Sequence, residues 1–454
     1  MLWLLLYTTM IYLSGLAVFC LLKFAKILKL HDFGFLELSA VSFNLGILLN
    51  YIVFFIISLV GIKITFAAFL PAIILSCLSV ILLISKKVTF KSGTKKSRFE
   101  IFFLILLTIS SLFLLIEAVT HNVTYPDEYA AWTALPKIYF SEGSLRYTVD
   151  YGTVKYPPFL TSLSAGFYFF TGRLDEVNVR ALPAIILYIN LLGMYSYTKR
   201  RKFSACGFLT FAVLILTMYN NIFYLGGSSY ADLPFACIYT FAVLYYLELF
   251  DNVGKDKSYC ILSLIYFAML CLIKIDGIYM LVFNAAIIFL YVVLKRKDLR
   301  PKAVICSIIP NLFAPLLYVA YLLFNKFLCT NTTRQLQREP VPEYTLEMLK
   351  NLFNQQFDDI VWMVLIVLIL VYSAAVIYKN KFNRNNSFET LGLFIYILAN
   401  IAFLAFSFII KFGNEAPLAA SYIRYITRAV FIAVFLLLNL RKLLRSDAGE
   451  ARIA

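Results

Sequence analysis

Residues 85–119 read SKKVTFKSGTKKSR and then FEIFFLILLTISSLFLLIEAV, a lysine-rich polar loop that passes directly into an apolar run. About 20 consecutive apolar residues form a helix long enough to cross roughly 30 Å of hydrocarbon. Because positively charged loops stay on the cytoplasmic side of a membrane, this stretch predicts a helix that leaves the cytoplasm near residue 99. The polar residues that follow, from His121 to Pro158, are therefore expected on the outer side.

The composition of the whole chain extends this interpretation. Of its 454 residues, 62% are hydrophobic and 15% are charged, with a mean hydropathy of +0.83. Soluble domains contain fewer apolar and more charged residues, so these values exclude a soluble globular protein and predict an all-α polytopic membrane protein. The net charge of +16 comes from lysine and arginine concentrated in the loops assigned to the inside. We therefore expect no nucleic-acid partner.

Further apolar runs alternate with basic loops along the chain. Lys23 follows the first run and nothing basic precedes it, which places the N-terminus outside. With that first run included, the alternation predicts about 13 membrane-spanning helices and a cytoplasmic C-terminus in the plasma membrane, the inner membrane of a bacterium. The other runs lie near residues 34–60, 64–84, 99–119, 180–198, 203–225, 234–250, 259–275, 278–294, 303–328, 361–378, 388–410 and 425–440.

Two outer loops are long, at 120–179 and 329–360. Within the first, Phe159 to Gly172 is apolar but too short for a comfortable span, so we predict an interfacial or re-entrant helix. Apolar residues at helical spacing across 345–357 predict another helix on the membrane surface. The chain divides into an N-terminal three-helix extension with a basic loop (1–98), a transmembrane module (99–440) and a cytoplasmic tail (441–454).

The first outer loop carries two adjacent carboxylates, Asp127 and Glu128, within the sequence YPDEY at residues 125–129. Near an apolar boundary, partial desolvation and mutual repulsion make such a pair more basic, which suits proton abstraction. The alternative is a solvated turn or a helix N-cap, where Asp is common.

Aromatic residues accompany these carboxylates. Tyr129, Trp132 and Tyr156 suit stacking against sugar rings, and an aromatic belt at the headgroup level is the alternative. Lys155 and Tyr156 precede two prolines, whose fixed φ orients the lysine relative to the next helix. A cation at that place can meet a phosphate at the membrane surface.

Three further polar signals stand at the predicted outer ends of later helices. Asp232 follows a Gly-Gly-Ser-Ser turn and suits a helix cap or a ligand-binding carboxylate. Lys274 and Asp276 interrupt an apolar stretch, either as a neutralising ion pair or as functional groups at membrane depth. Arg424 and Arg428 share one helix face, where snorkelling anchors are the alternative to a binding role.

All these signals fall on the side that the charged loops assign to the outside. The cations Lys155, Lys274 and Arg424 can grip a phosphate, and the carboxylates Asp127 and Glu128 can supply a base. The combination predicts group transfer from a lipid phosphate. The remaining candidates, for acceptor or sugar binding, are Tyr129, Trp132, Tyr156, Asp232 and Asp276.

The sequence resembles the GT-C superfamily of integral-membrane glycosyltransferases, in the branch of protein O-mannosyltransferases and lipid A aminoarabinose transferases. The resemblance runs from about residue 99 to about residue 440. It rests on motifs in a fixed order: Asp127-Glu128, Lys155-Tyr156-Pro157-Pro158, Phe169-Phe170-Thr171-Gly172, Arg180-Ala181-Leu182-Pro183, Tyr230-Ala231-Asp232, Lys274-Ile275-Asp276-Gly277 and Arg424-Tyr425.

The resemblance implies inverting transfer of a hexosyl or pentosyl group from a polyprenyl-phosphate sugar on the outer face. It also implies that Asp127 takes the acceptor proton and that Lys155 contacts the donor phosphate. Three helices precede the family-like first helix and no large outer domain is expected after the last, so the acceptor stays open among a glycan, a lipid and a protein. A divalent metal at Asp127, Glu128 and Asp232 also stays open.

Two other functions remain open on the sequence. A polysaccharide polymerase or ligase shares the outer site and the lipid-linked substrate. A transporter or flippase for a lipid-linked or polar solute is expected to show related halves, broken helices and ionisable groups near the middle of the membrane. The sequence contains no internal repeat and its ionisable groups cluster near helix ends, which favours the enzyme.

Overall fold

The computed structural model of the chain describes residues 1–28, 33–85, 97–120, 132–146, 157–218, 231–252, 256–274, 276–295, 299–328, 350, 354, 359–379, 387–411 and 422–445. These residues form α-helices joined by turns, with one 3-10 helix at Phe66–Phe69. The all-α architecture predicted from the sequence is confirmed.

The helices in chain order are α1 (Leu2–Phe24), α2 (Phe35–Val60), α3 (Leu70–Ile84), α4 (Arg98–Thr120), α5 (Ala134–Glu142), α6 (Phe159–Thr171), α7 (Glu176–Val179), α8 (Leu182–Arg200), α9 (Ala205–Met218), α10 (Asp232–Asn252), α11 (Ser258–Ile273), α12 (Asp276–Leu294), α13 (Pro301–Leu328), α14 (Ile360–Tyr378), α15 (Ser387–Lys411) and α16 (Tyr422–Arg445).

Within the described part of the chain, 10 helices are long and apolar enough to cross a membrane. Every apolar run predicted to span coincides with a helix. However, α9 and α11 are shorter than a full span as described, and α16 is not among the ten. The described helices are therefore consistent with an all-α polytopic membrane protein, whereas the count of about 13 spans stays a prediction.

Helix α10 lies at the centre of the bundle. Its most apolar window is entirely buried, and it packs against α8, α11, α13, α15 and α16. Phenylalanine, tyrosine, leucine and alanine occur on every side of this helix, the pattern expected of a helix with no solvent-facing side. The residues at its two ends consequently face several helices at once.

The first two helices pack closely because of small residues. A Cβ atom at Gly15 would lie 1.8 Å from a backbone oxygen of α2, and one at Gly46 would lie 1.9 Å from a backbone oxygen of α1. Such contacts let helix backbones approach where the hydrophobic effect supplies no driving force. Helix α2 is joined to α8 and α11 by Asn44, whose amide donates to Asn190 at 2.8 Å and to the Tyr266 hydroxyl at 3.1 Å.

Two ends of the bundle are defined by α8 and α10, which run side by side in the same direction. Arg200, at the end of α8, pairs with Glu248 near the end of α10 at 2.8 Å. The beginnings of both helices therefore share the opposite end, about 24 Å away at 1.5 Å per residue. We call these the Arg200 end and the Asp232 end.

The residues predicted to lie outside gather at the Asp232 end. The amino group of Met1 donates to the Asn178 side chain at 3.0 Å, and the amide of Leu145 donates to the Ser58 hydroxyl at 2.8 Å. These contacts join the start of α1 and the end of α2 to the first long loop, as the predicted topology requires. Which membrane face the Asp232 end occupies stays a prediction.

The described residues of the first long loop form three short helices, α5, α6 and α7. Helix α6 has 13 residues and reaches only about 20 Å, short of a full span. It ends at Gly172, whose φ of 68° suits a residue without a Cβ. It is largely buried against α1, α2 and α5. The surface helix predicted at 345–357 lies almost wholly outside the described residues.

Candidate functional site

A buried ion pair marks the Asp232 end. Lys274 Nζ donates to Asp232 Oδ1 at 2.6 Å, and both side chains are almost completely inaccessible to solvent. Asp232 begins α10. Lys274 ends α11 in an extended conformation, with φ −147° and ψ 152°, so the chain leaves the helix at the lysine itself.

The turn that carries Lys274 is tight. Only Lys274 and Ile275 separate α11 from α12, and a Cβ atom at Gly277 would lie 2.4 Å from the backbone of Leu270. Glycine is thus required for α12 to fold back onto α11. The close approach of α12 to α11 keeps Lys274 and Asp276 near each other, one on each side of the turn.

Arg428 joins the two carboxylates. Its Nη2 lies 2.8 Å from Asp276 Oδ2 and 3.5 Å from Asp232 Oδ1, and its side chain is fully buried. Its guanidinium carbon lies 4.6 Å from the centroid of the Phe235 ring, one turn along α10 from Asp232. A cation over an aromatic face gains further stabilisation where water is excluded.

The first long loop contributes an aromatic side chain to this group. Trp132 is 5% exposed, and its ring centroid lies 5.8 Å from Lys274 Nζ. We name Asp232, Lys274, Asp276, Arg428 and Trp132 together the rim cluster. It brings α10, α11, α12 and α16 together with the chain just before α5.

The rim cluster contains two cations and two carboxylates, so the charges of its described members balance. Balanced charge is what allows ionisable groups to be buried in a membrane protein, since an unpaired charge there is costly. Lys274 offers a compact ammonium and Arg428 a planar fork of N–H donors. Lys274 and Arg428 both lie beside Asp232 Oδ1, so an anion that binds there can contact an ammonium and a guanidinium together.

The structure brings together four residues that the sequence singled out separately: Asp232, Lys274, Asp276 and Trp132. Arg424 lies on α16 one turn before Arg428, and its side chain is outside the described residues. The same holds for every atom of the other candidates, Asp127, Glu128, Tyr129, Lys155 and Tyr156.

Arg428 is the functional candidate that the sequence interpretation undervalued. Its spacing from Arg424 suggested a snorkelling anchor, with the guanidinium at the headgroups. Instead the side chain is 0% exposed and binds two carboxylates. The signal was its position inside an apolar helix, where an ionisable residue usually has a specific partner.

In the described part of the chain, no group of three or more His, Cys, Asp or Glu residues is placed to hold a metal ion. The two carboxylates of the rim cluster, Asp232 and Asp276, each contact a cationic side chain. Two of the three residues proposed for a metal, Asp127 and Glu128, lie outside the described residues, so the question of a divalent cation stays open.

Below the rim cluster, polar side chains continue into the bundle. Tyr396 on α15 donates to Asn284 on α12, and the Asn284 amide donates to Asn311 on α13 at 2.7 Å. The buried amide of Asn400 and the buried hydroxyl of Tyr239 lie close to each other in the bundle. These groups place hydrogen-bonding capacity between the two ends of the bundle.

A second ion cluster lies at the Arg200 end. Arg200 binds the carboxylates of Glu37 and Glu248 with two hydrogen bonds each, at 2.8–2.9 Å, and donates to Tyr259 at 3.0 Å. Arg201 pairs with Glu389 at 2.8 Å. Arg200 and Arg201 belong to one of the basic loops that the sequence assigns to the inside, and their side chains are mostly buried among α2, α10 and α15.

The Arg200 cluster differs from the rim cluster in its hydrogen bonding. An arginine has five N–H donors, and the contacts of Arg200 use all of them. No donor remains for a ligand. We therefore assign this cluster to the packing of the bundle and the rim cluster to the candidate site.

Comparison of the chain with protein-family models, with curated proteins and with solved structures found no match.

Proposed function

We propose that the protein is a membrane glycosyltransferase that moves a sugar from a polyprenyl-phosphate donor to an acceptor on the extracytoplasmic face. The observation that carries the proposal is the rim cluster, in which Lys274 and Arg428 are buried beside Asp232 and Asp276 at one end of the bundle. Two preorganised cations at the level of a membrane surface suit the phosphate of a lipid-linked donor.

The chemistry gives these cations a role in the reaction. The acceptor oxygen forms a bond to the anomeric carbon while the bond from that carbon to the donor phosphate breaks, and the electron pair leaves with the lipid phosphate. Negative charge on that phosphate therefore grows as the reaction proceeds. Lys274 and Arg428 stabilise this charge in surroundings of low dielectric constant, where fixed charges act strongly.

The carboxylates of the rim cluster have a different role in this proposal. Asp232 and Asp276 hold the two cations in place and balance their charge before the donor binds. A cation that is already fixed needs little reorganisation when the phosphate arrives. Asp232 and Asp276 are therefore positioning residues for the phosphate contacts, and they also remain candidates for contact with the sugar or the acceptor.

The proton of the acceptor hydroxyl goes to Asp127, with Glu128 beside it. The chain that carries Asp127 joins the described structure at Trp132, five residues further on, and five residues reach at most about 18 Å. Because Trp132 lies against Lys274, this chain length allows a base at Asp127 to reach the phosphate contacts. Lys155 and Arg424 add phosphate contacts, and Tyr129 and Tyr156 suit the sugar or the acceptor.

A transporter or flippase is the second candidate function. The observation that favours it is the series of polar side chains between the two ion clusters, among them Asn284, Asn311 and Asn400. A solute that crosses the bundle needs such groups on its way. A polysaccharide polymerase or ligase shares the donor chemistry proposed above and differs in its acceptor.

The deciding experiment measures single-turnover sugar transfer by the purified, reconstituted protein with radiolabelled polyprenyl-phosphate sugars. Asp127→Asn should slow transfer by about 10²–10⁴ because the amide keeps the shape of the side chain but cannot take a proton. Donor binding and thermal stability should stay unchanged. Asp150→Asn, in the same loop, is the matched control.

Near-normal turnover by Asp127→Asn would remove this residue as the base. Absence of transfer with every donor, together with movement of a lipid-linked solute across proteoliposomes, would replace the enzyme by the transporter.

A further inference from the structure

Arg180 is a buried cation outside the rim cluster. It follows α7, is 7% exposed, and donates from Nε to the backbone oxygen of Glu176 at 3.0 Å. No carboxylate of the described residues pairs with it. The neighbouring carboxylates are already engaged: Glu176 binds Lys137 at 2.7 Å, and Asp175 accepts hydrogen bonds from Asn178.

The Nη1 atom of Arg180 is buried and has no hydrogen-bond partner in the described part of the chain. A second such group interacts with it electrostatically. The Tyr168 hydroxyl on α6 is completely buried, and no described residue forms a hydrogen bond with it. Burial raises the pKa of Tyr168 above its ordinary value, and the charges of Glu176 and Asp175 raise it further, so the hydroxyl is a neutral donor.

Unsatisfied buried donors are costly, and a buried cation without a counter-ion is more so. Here both occur together, and both groups donate hydrogen bonds. The missing partner is therefore an acceptor with negative charge. Arg180 also lies at the Asp232 end of the bundle, because α8 begins two residues after it. Arg180 and Tyr168 belong to elements other than those that form the rim cluster.

We propose that Arg180 and Tyr168 form a binding site for a phosphate group at the membrane surface. A guanidinium matches the tetrahedral oxygens of a phosphate with two parallel N–H bonds, and the tyrosine hydroxyl can donate to a third oxygen. Such a phosphate has two sources: the headgroup of a bilayer lipid, or a phosphorylated solute that reaches the surface. The site does not depend on sugar transfer by the rim cluster.

The test is thermal unfolding of the full chain in a neutral detergent, titrated with inorganic phosphate and, separately, with dihexanoyl phosphatidic acid. Wild-type protein should be stabilised by at least one of them. Arg180→Met should require about tenfold or more of the same ligand, because it loses charge-assisted hydrogen bonds. Response to inorganic phosphate assigns a solute, and response only to phosphatidic acid assigns a lipid headgroup.

Three further variants keep the result interpretable. Tyr168→Phe removes one hydroxyl and should weaken the response without loss of stability. Arg173→Gln removes an exposed cation of the same segment and should behave as wild type. Lys274→Met should still be stabilised by the ligand, because binding of phosphate at Arg180 does not require Lys274.

Without phosphate, Arg180→Met should be at least as stable as wild type, because it removes a buried charge that has no carboxylate partner. An equal response of wild type and Arg180→Met to both ligands would overturn the proposal. So would a response to acetate as strong as that to phosphate, or a response abolished by Lys274→Met alone. The first two outcomes do not bear on whether the rim cluster transfers a sugar, and the third would place the phosphate at Lys274 in the rim cluster.

Discussion

Neutralising the Asp232–Lys274 pair, one partner at a time and then both together, separates a structural ion pair from a donor-binding lysine. The variants are Asp232→Asn, Lys274→Met and the double variant. Each replacement keeps the approximate shape of the side chain and removes its charge. The pair is suited to this test because its two charges are buried and 2.6 Å apart.

The stability changes follow from burial. Lys274→Met leaves Asp232 with Arg428 at 3.5 Å as its remaining contact within the rim cluster, and removal of one partner of a buried pair costs about 3–5 kcal/mol. Asp232→Asn removes the carboxylate that lies 2.6 Å from Lys274 Nζ and should cost a similar amount. The double variant has no uncompensated charge at this pair, and such neutral replacements are often as stable as the original.

Donor affinity should follow a different pattern. If Lys274 contacts the donor phosphate, both proteins that lack it lose about 1.5–3 kcal/mol of binding, which is roughly ten- to a hundredfold in affinity. The double variant should therefore recover its stability without recovering its affinity. Unfolding in mixed detergent measures the stability, and retention of a radiolabelled polyprenyl-phosphate sugar measures the donor affinity.

Two results would refute this reasoning. Wild-type donor affinity in the stable double variant would make Lys274 a structural residue only. A double variant as unstable as Lys274→Met would show that the buried charges are not compensating each other. Lys326→Met, at an exposed lysine near the end of α13, is the control for loss of a cation without burial.

Two further predictions concern the topology and the second ion cluster. In a background without native cysteines, single cysteines at positions 125, 335 and 415 should react with an impermeant thiol reagent added outside the cell. Single cysteines at positions 93 and 383 should not react. Labelling of position 93 in intact cells would put the rim cluster on the cytoplasmic side. Arg200→Leu should destabilise the protein by about 3–5 kcal/mol because Glu37 loses the cation at 2.9 Å and Glu248 keeps only Arg201 at 3.3 Å, while the folded fraction keeps its donor affinity. A selective loss of affinity at normal stability would make this cluster a ligand site.

Much of the fold could be predicted from the sequence because hydrocarbon imposes a simple requirement. A helix that satisfies its own backbone groups and presents apolar side chains is the solution for each span, so run length and flanking charge reveal it. The run at 234–250 was found in this way, and it became α10. The same rule does not tell which helix lies at the centre, because lipid-facing and buried sides are equally apolar.

The candidate site was predictable only in part, for a related reason. Lys274 and Asp276 stood out because they interrupt an apolar stretch, and the structure joins them with Asp232. Arg428 and Arg200 stood near helix ends, where local sequence cannot distinguish an anchor in the headgroups from a partner of a distant carboxylate. Their partners lie between 48 and 196 residues away, and only the packing of the bundle brings them together.

The arginines at the two ends differ in how their hydrogen-bonding capacity is used, and this difference separates packing from binding. Arg200 has all five donors occupied by two carboxylates and a tyrosine, so a ligand can reach it only by displacing bonds that hold α2 to α8 and α10. Arg180 has a buried nitrogen, Nη1, with no hydrogen-bond partner among the described residues. The bonds of Arg200 stabilise the packing, whereas a buried donor without a partner costs free energy, and in the proposal made above an anion at Arg180 supplies that partner. An arginine whose N–H donors are not all used is therefore a better indicator of an anion site than burial or charge alone. By this criterion we expect anionic ligands at the Asp232 end of the bundle.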